Sequence, residues 1–471
     1  MAQTLYDPAI ALSRFGLGAS EQGAGEQGVS AIGDAQAVLL SEIAQGPPQP
    51  QGLAATPDLL AQVFAYQKEK RLARQAANAH DPNGPQKPGR DDNPVRPAVL
   101  AEMSARFDGT VTSPVIGFNE RMTQFWANHF AVSTKKNQEL AVSAGAFERE
   151  AIRPHVFGRF SDLLLAVETH PAMLLYLDNA TSIGPDSPAA SKGKSKDGAK
   201  RGLNENLARE IMELHTLGVG SGYTQTDVTT FAKVITGWSV ARDNDRAAAS
   251  GTFVFRAYAH EPGAQTILGK RYAEGGMEQG KAVLLDLARH PATAQHIATQ
   301  LARYFVADDP PPELVTHLRE TFIRTDGDLA EVSRALIASP ESWSPQRVKM
   351  RSPLEYCCAL IRASGVSPKP QAIEAALNAM GQPLWQPAGP NGFPDTVAAW
   401  NSPEGMATRM DVANSFADML ARRRPNADAR ALAQSLFGSQ LSDATATAVA
   451  RAETQSQGLA LLFMSPEFMR R

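Results

Sequence analysis

The sequence predicts a mostly α-helical, multi-helix globular fold with one small β-hairpin. Three observations predict it. Apolar residues recur at helical spacing over most of the chain. Those stretches carry capping and stop residues at their ends. β-branched and aromatic residues gather convincingly in one place only, Thr252–Leu268. With 471 residues, 43% hydrophobic and 20% charged, the chain suits one domain over 1–471 or two closely packed helical lobes, 1–240 and 265–471, with the hairpin between them.

In chain order, Pro8 opens a helix over Ala9–Phe15 that stops at Gly16-Leu17-Gly18. Ala35–Ala44 and Pro57–Lys70 read as two more helices. Residues 76–96 are polar and proline-rich and read as a mobile surface loop. Phe118–Val132 is helical, with His129 on the face of Met122, Phe125 and Trp126. A histidine on such a face is most often a hydrogen-bonded core residue, and a site role is the alternative. His170 precedes Pro171 at a helix entrance within Ser161–Asn179, which suits a capping role. Residues 181–201 are rich in Gly, Ser and Lys and form the second expected flexible loop. Gly193-Lys194-Ser195 lacks the glycine five places earlier that a phosphate-binding loop needs, and no strand precedes it.

Asn204–Trp238 organises the chain. Asn204 is a capping residue and Gly218 a left-handed stop. At about 100° per residue, Leu203, Leu207, Ile211 and Leu214 share one apolar arc. Asn206, Arg209, Glu210 and Glu213 occupy the arc beside it. Two carboxylates three residues apart are helix neighbours, which raises one pKa unless a cation such as Arg209 intervenes. Thr224-Gln225-Thr226-Asp227 opens the next helix with a capping-box pattern, and Gly237 ends it.

Thr252–Tyr258 and Thr266–Leu268 are the two expected hairpin strands, with His260 and Glu261 at the connecting turn. Helices follow at Met277–Arg289, Ala292–Phe305, Pro312–Arg324, Asp328–Ala338, Pro353–Ser364, Arg409–Ala421 and Ala427–Phe437. Ser339-Pro340-Glu341 and Ser465-Pro466-Glu467 each end a helix in the same turn, followed by an aromatic residue. Trp385, Phe393 and Trp400 either line a groove or pin their long loop to the core, and pinning is the expectation.

A formal net charge of −3 offers no basic excess for phosphates, so nucleic acid is disfavoured as a partner. The only cysteines, Cys357-Cys358, have neither disulfide nor zinc spacing. No apolar run is long enough for a membrane span. The N-terminal stretch lacks a basic region followed by an apolar run, so it does not read as a secretory signal, and cytoplasmic residence is the default expectation.

His-Glu-x-x-His, Gly-x-Ser-x-Gly and Cys-x-x-Cys are all absent. The glycines of 218–222 follow a helix and not a strand, which disfavours a dinucleotide fold. A di-iron bundle would need Glu-x-x-His on one helix face. On an unbroken α-helix His215 lies roughly 140–160° from Glu210 and Glu213, so only a break in the helix could join them. The candidate catalytic residues are therefore Glu210, Glu213 and Arg209, with His260, Glu261 and His129 from elsewhere. His260 and Glu261 could also bind a divalent metal. The central carboxylates are expected to share a cleft with that turn.

Several motifs together resemble one bacterial family. They are Arg14-Phe15-Gly16, Phe125-Trp126-Ala127-Asn128-His129-Phe130, His170-Pro171-Ala172-Met173 and Tyr176-Leu177-Asp178-Asn179. Asn204-Glu205-Asn206, His215-Thr216-Leu217-Gly218-Val219, Tyr223 through Val228 and Thr236-Gly237-Trp238 follow. His260-Glu261-Pro262-Gly263, Leu268-Gly269 and Ser339-Pro340-Glu341 complete the set. In this order they resemble the family called domain of unknown function 1800. Glu261 departs from it, since the family more often has Asp there, and the export signal of many relatives is missing. The resemblance brings no reaction with it. It implies a periplasmic or extracellular setting and a partner, a sulfatase-like protein of the domain of unknown function 1501 family. Two expectations stand side by side. One is a hydrolase acting on an envelope or extracellular glycan, peptide or ester. The other is a non-catalytic helical scaffold that binds the sulfatase-like partner.

Overall fold

Helices begin where the sequence caps them. The computed structural model describes residues 6–20, 29, 32–80, 84–112, 115–191, 202–243, 245 and 248–471. Asp34 accepts the Ala37 N–H at the start of Ala35–Gln45, and Asp328 accepts that of Glu331 at the start of Leu329–Ala338. Ser352 and Glu355 close a full capping box on Pro353–Ser364, as Thr224 and Asp227 do on Gln225–Val234. His170 caps Pro171–Tyr176 as expected, accepting from Ala172 N.

The protein is mostly α-helical, with a small hairpin. Thr56–Asn78 runs a further two turns past its expected end. Val95–Thr112 and Gln138–Phe147 carried no sequence expectation. Gln138–Phe147 is buried on nearly every side and rich in small residues, so it shows no polar face to reveal its period. Of the expected loops, residues 79–94 are irregular, with 81–83 outside the described residues. In the second, Pro188–Ser191 forms one helical turn and 192–201 lie outside the described residues.

The β-structure differs in pairing from the sequence expectation. Strand β1, Trp238–Val240, pairs antiparallel with β2, Phe253–Phe255. Strand β3, Gln265–Ile267, pairs with β4, Lys270–Tyr272. The expected partners Thr252–Tyr258 and Thr266–Leu268 thus belong to separate sheets. A 3-10 turn at Ala257–Ala259 interrupts the chain between them. Leu268 and Gly269 both take positive φ, 48° and 75°, forming the two-residue turn that suits hairpin twist. The Leu268 N–H is held by Asp227 Oδ1 at 2.7 Å.

The buried apolar side chains form one connected core running from Ile10 to Met469. Phe15 packs against Phe118, Phe305 and Trp343, which joins the first helix to the middle and later ones. Ionic groups are built into this core. The buried Glu42 carboxylate accepts the N–H groups of Ile116, Gly117 and Phe118, satisfying donors at the start of Phe118–His129. Glu42→Ala is expected to lower stability by about 2–3 kcal/mol, because several buried N–H groups lose their acceptor. An unchanged midpoint in urea denaturation would contradict this.

Glu355 lies between the guanidiniums of Arg121 and Arg471, all three buried. Arg121 also lies 4.8 Å from the Tyr304 ring centre. Burial alone would raise the Glu355 pKa, but Arg121 and Arg471 outweigh it and hold the carboxyl well below the usual range. Two further buried arginines, Arg351 and Arg409, surround this pair.

Candidate functional site at a π turn

Asn204 Oδ1 accepts the Asn206 N–H at 2.9 Å and opens the central helix as expected. The helix is regular over Asn206–Glu210 and then becomes a π turn over Ile211–His215. A π turn accommodates an extra residue and is frequent at functional sites. Here it supplies the break that ideal helix angles required. His215 comes back toward Glu210, close enough to act on its ionisation. Burial raises the Glu210 pKa, and Glu213 adds to the rise, while His215 and Arg209 oppose it.

Two phenols adjoin the carboxylates. Burial raises the Tyr176 pKa and the Glu210 charge raises it further. Burial and then Glu213 do the same for Tyr223. Beside Tyr176, Lys136 Nζ binds the Tyr176 carbonyl at 2.5 Å and Asp178 Oδ1 at 2.6 Å. Asp178 adopts a left-handed conformation, φ 59°, which Asp tolerates better than most residues. Glu210 and Glu213 are half-buried and Asp178 is exposed, so the cluster sits at the edge of the packed interior. Arg209 pairs with Glu205 at 3.1 Å and with Gln225 Oε1 at 2.9 Å, on the side toward helix Gln225–Val234.

One histidine belongs to the π turn and two others pack against it. His215 Nδ1 bonds Glu168 Oε1 at 2.7 Å, with both side chains fully buried. The Nε2 of His215 has no partner in the structure. His129 Nε2 donates to the His215 carbonyl at 3.2 Å, and His296 Nε2 donates to the Leu214 carbonyl at 3.0 Å. Burial, then neighbouring imidazoles, push the His129 pKa well below 6.5. Burial likewise lowers that of His296. Both are therefore neutral donors that satisfy carbonyls where the helix ends.

The His260–Glu261 turn lies apart. His260 Nδ1 donates to the Thr236 carbonyl at 3.0 Å, and Nε2 has no partner. Glu261 accepts the Asp186 N–H at 2.8 Å and lies 3.4 Å from Lys233 Nζ. Among the described residues, no hydrogen bond or ion pair joins this turn to Arg209, Glu210 or Glu213. Among those residues there is also no group of three or more His, Cys, Asp or Glu side chains able to hold a metal ion.

A separate cavity, enclosing about 870 Å³ with its mouth, lies on the other side of helix Phe118–His129. Gln124 and Asn128 line it, together with Trp385, Phe393 and Trp400. The aromatic loop thus both lines a cavity and is pinned. Asn128 exchanges two 2.8 Å bonds with the Phe393 backbone, and Trp385 Nε1 donates to Glu148 Oε2 at 3.2 Å. Arg106 pairs with Glu148 and Arg471 with Glu355 at this cavity, and the Asp395 carboxylate lines it as well.

The sequence reading missed His215, Glu168, Tyr176, Lys136, Asp178 and His296. His215 was set aside on ideal helix angles, and nothing in the sequence announces a π turn. Glu168 and His296 reach the site from distant helices, which no local spacing reveals.

The fold and cluster define a mostly helical protein with an ionisable site on a broken helix. No helix of the described residues is long and apolar enough to cross a membrane. The chain belongs to the family described as "Protein of unknown function (DUF1800)", whose model matches residues 10–470. No curated protein and no solved structure matches it.

Proposed function

We propose that the π-turn cluster is the acid–base site of a hydrolase, with Glu210 as proton donor and Glu213 as the second carboxyl group. One observation carries this reading. Glu210 is half-buried with a raised pKa, beside a second carboxylate, on the last regular residue before the π turn. A carboxyl group with a raised pKa beside a second carboxyl group is an arrangement from which acid–base catalysis is built. Tyr176 and Tyr223 offer hydroxyl groups to orient a polar substrate.

Among envelope or extracellular glycans, peptides and esters, the residue set suits a glycosidic bond best. Two carboxyl groups suffice for that reaction. The test is turnover on a panel of envelope glycans, with peptide and ester panels alongside. Activity is expected on a glycan, falling as pH rises through the Glu210 pKa because the donor must be protonated. Activity confined to peptides or esters would overturn the glycan assignment. Turnover that survives loss of the Glu210 carboxyl would overturn the site.

A further inference from the structure

Among the described residues the buried Arg14, Arg351, Arg362 and Arg409 form no ion pair, and of these Arg351 has two guanidinium nitrogens without a hydrogen-bond partner. Arg351 is 3% exposed, and its Nε and Nη1 have no hydrogen-bond partner. It makes no ion pair among the described residues. Arg121 and Arg471 already share Glu355, and Arg409 donates Nη2 to the Arg351 carbonyl at 2.7 Å. Arg351 lines a second cavity with Arg347, Ser13, Ala19, Phe437 and Phe468, enclosing about 310 Å³ with its mouth. Arg347 is half-buried and donates to the Glu467 carbonyl at 2.7 Å. This cavity is wholly separate from the π turn.

Burial, together with Arg121, Arg347 and Arg471 and against Glu355 alone, brings the Arg351 pKa down to about 9. A guanidinium nevertheless keeps its proton in proteins. The physical alternative is an anion that offsets the charge. A guanidinium edge matches the oxygen spacing of a tetrahedral oxyanion.

We propose that this cavity is an anion site, where a small oxyanion of the phosphate type binds the Arg351 guanidinium with Arg347 at its side. The test is thermal denaturation of the full chain in sodium phosphate and in sodium chloride at equal pH and ionic strength. Phosphate should raise the wild-type Tm by about 2 °C or more over chloride, growing with concentration as linkage requires. Arg351→Met should abolish the difference, while its Tm in chloride equals or exceeds that of the wild type. Ala19→Leu, which fills the cavity and keeps Arg351, should abolish it too, so the test stands if Arg351→Met fails to fold. Calorimetric titration of wild type with phosphate should give one site per chain. Equal phosphate responses in wild type and Ala19→Leu would overturn the site. Equal effects of chloride and phosphate on the wild type would overturn the oxyanion assignment.

Discussion

Glu355→Ala is expected to destabilise the protein by about 3–5 kcal/mol, the cost of breaking a buried ion pair from one side. The change leaves Arg121 and Arg471 without their carboxylate, inside a core that already holds Arg351 and Arg409. It also removes the Glu355 half of the capping box at Pro353–Ser364. Urea denaturation at pH 7 reads the loss. The companion variant Arg121→Met, Glu355→Leu, Arg471→Met removes the whole triad and should recover much of the stability, because desolvated charges are replaced by packing. Acid should act in the same direction. The folded-state pKa of Glu355 lies below its ordinary value, so its contribution is complete above about pH 4.5 and is lost as pH falls below it. A Glu355→Ala midpoint equal to wild type would show that the arginines find other partners.

Glu210→Gln is expected to lower turnover by about 10²–10⁴-fold, the usual contribution of a positioned proton donor. Its stability should move the other way. The folded pKa of Glu210 is raised, so its stabilising contribution is full below the unfolded value and is lost as pH rises through the folded one. Glutamine keeps the shape without the charge. Wild type and variant should therefore match in acid, and the variant should be equal or more stable at neutral pH. Melting curves across pH, with turnover at each point, separate the two roles. A large stability loss with unchanged turnover per folded molecule would make Glu210 structural.

The helices were legible because caps and apolar periods are local. Asp34, Asp328, Ser352 and Thr224 announce starts that backbone N–H groups confirm. Gln138–Phe147 was hidden because a helix buried all round has no polar period. Strand pairing was misread because Phe253–Phe255 chose the more distant Trp238–Val240, a choice made by tertiary packing and not by strand composition. At the candidate site, Glu210 and Glu213 lie on one helix arc, and His129 lies on one face with Phe125 and Trp126, which local periodicity reveals. The Glu168–His215 pair spans 47 residues of chain and depends on a backbone irregularity, so it became visible only in three dimensions.

The π turn at Ile211–His215 makes the site sensitive to chain length as much as to residue identity. Deleting Met212 would let the helix relax to regular α geometry without removing any ionisable side chain. Four α residues turn roughly as far as the five residues of the π turn, so His215 would keep its direction relative to Asn206–Glu210. The His215–Glu168 bond would survive, while Glu213, now two residues from Glu210, would swing by roughly a quarter turn to the opposite face of the helix. Loss by deletion in this short window, where conservative substitutions of Met212 or Leu214 are tolerated, is how a frame-dependent site behaves under mutational scanning.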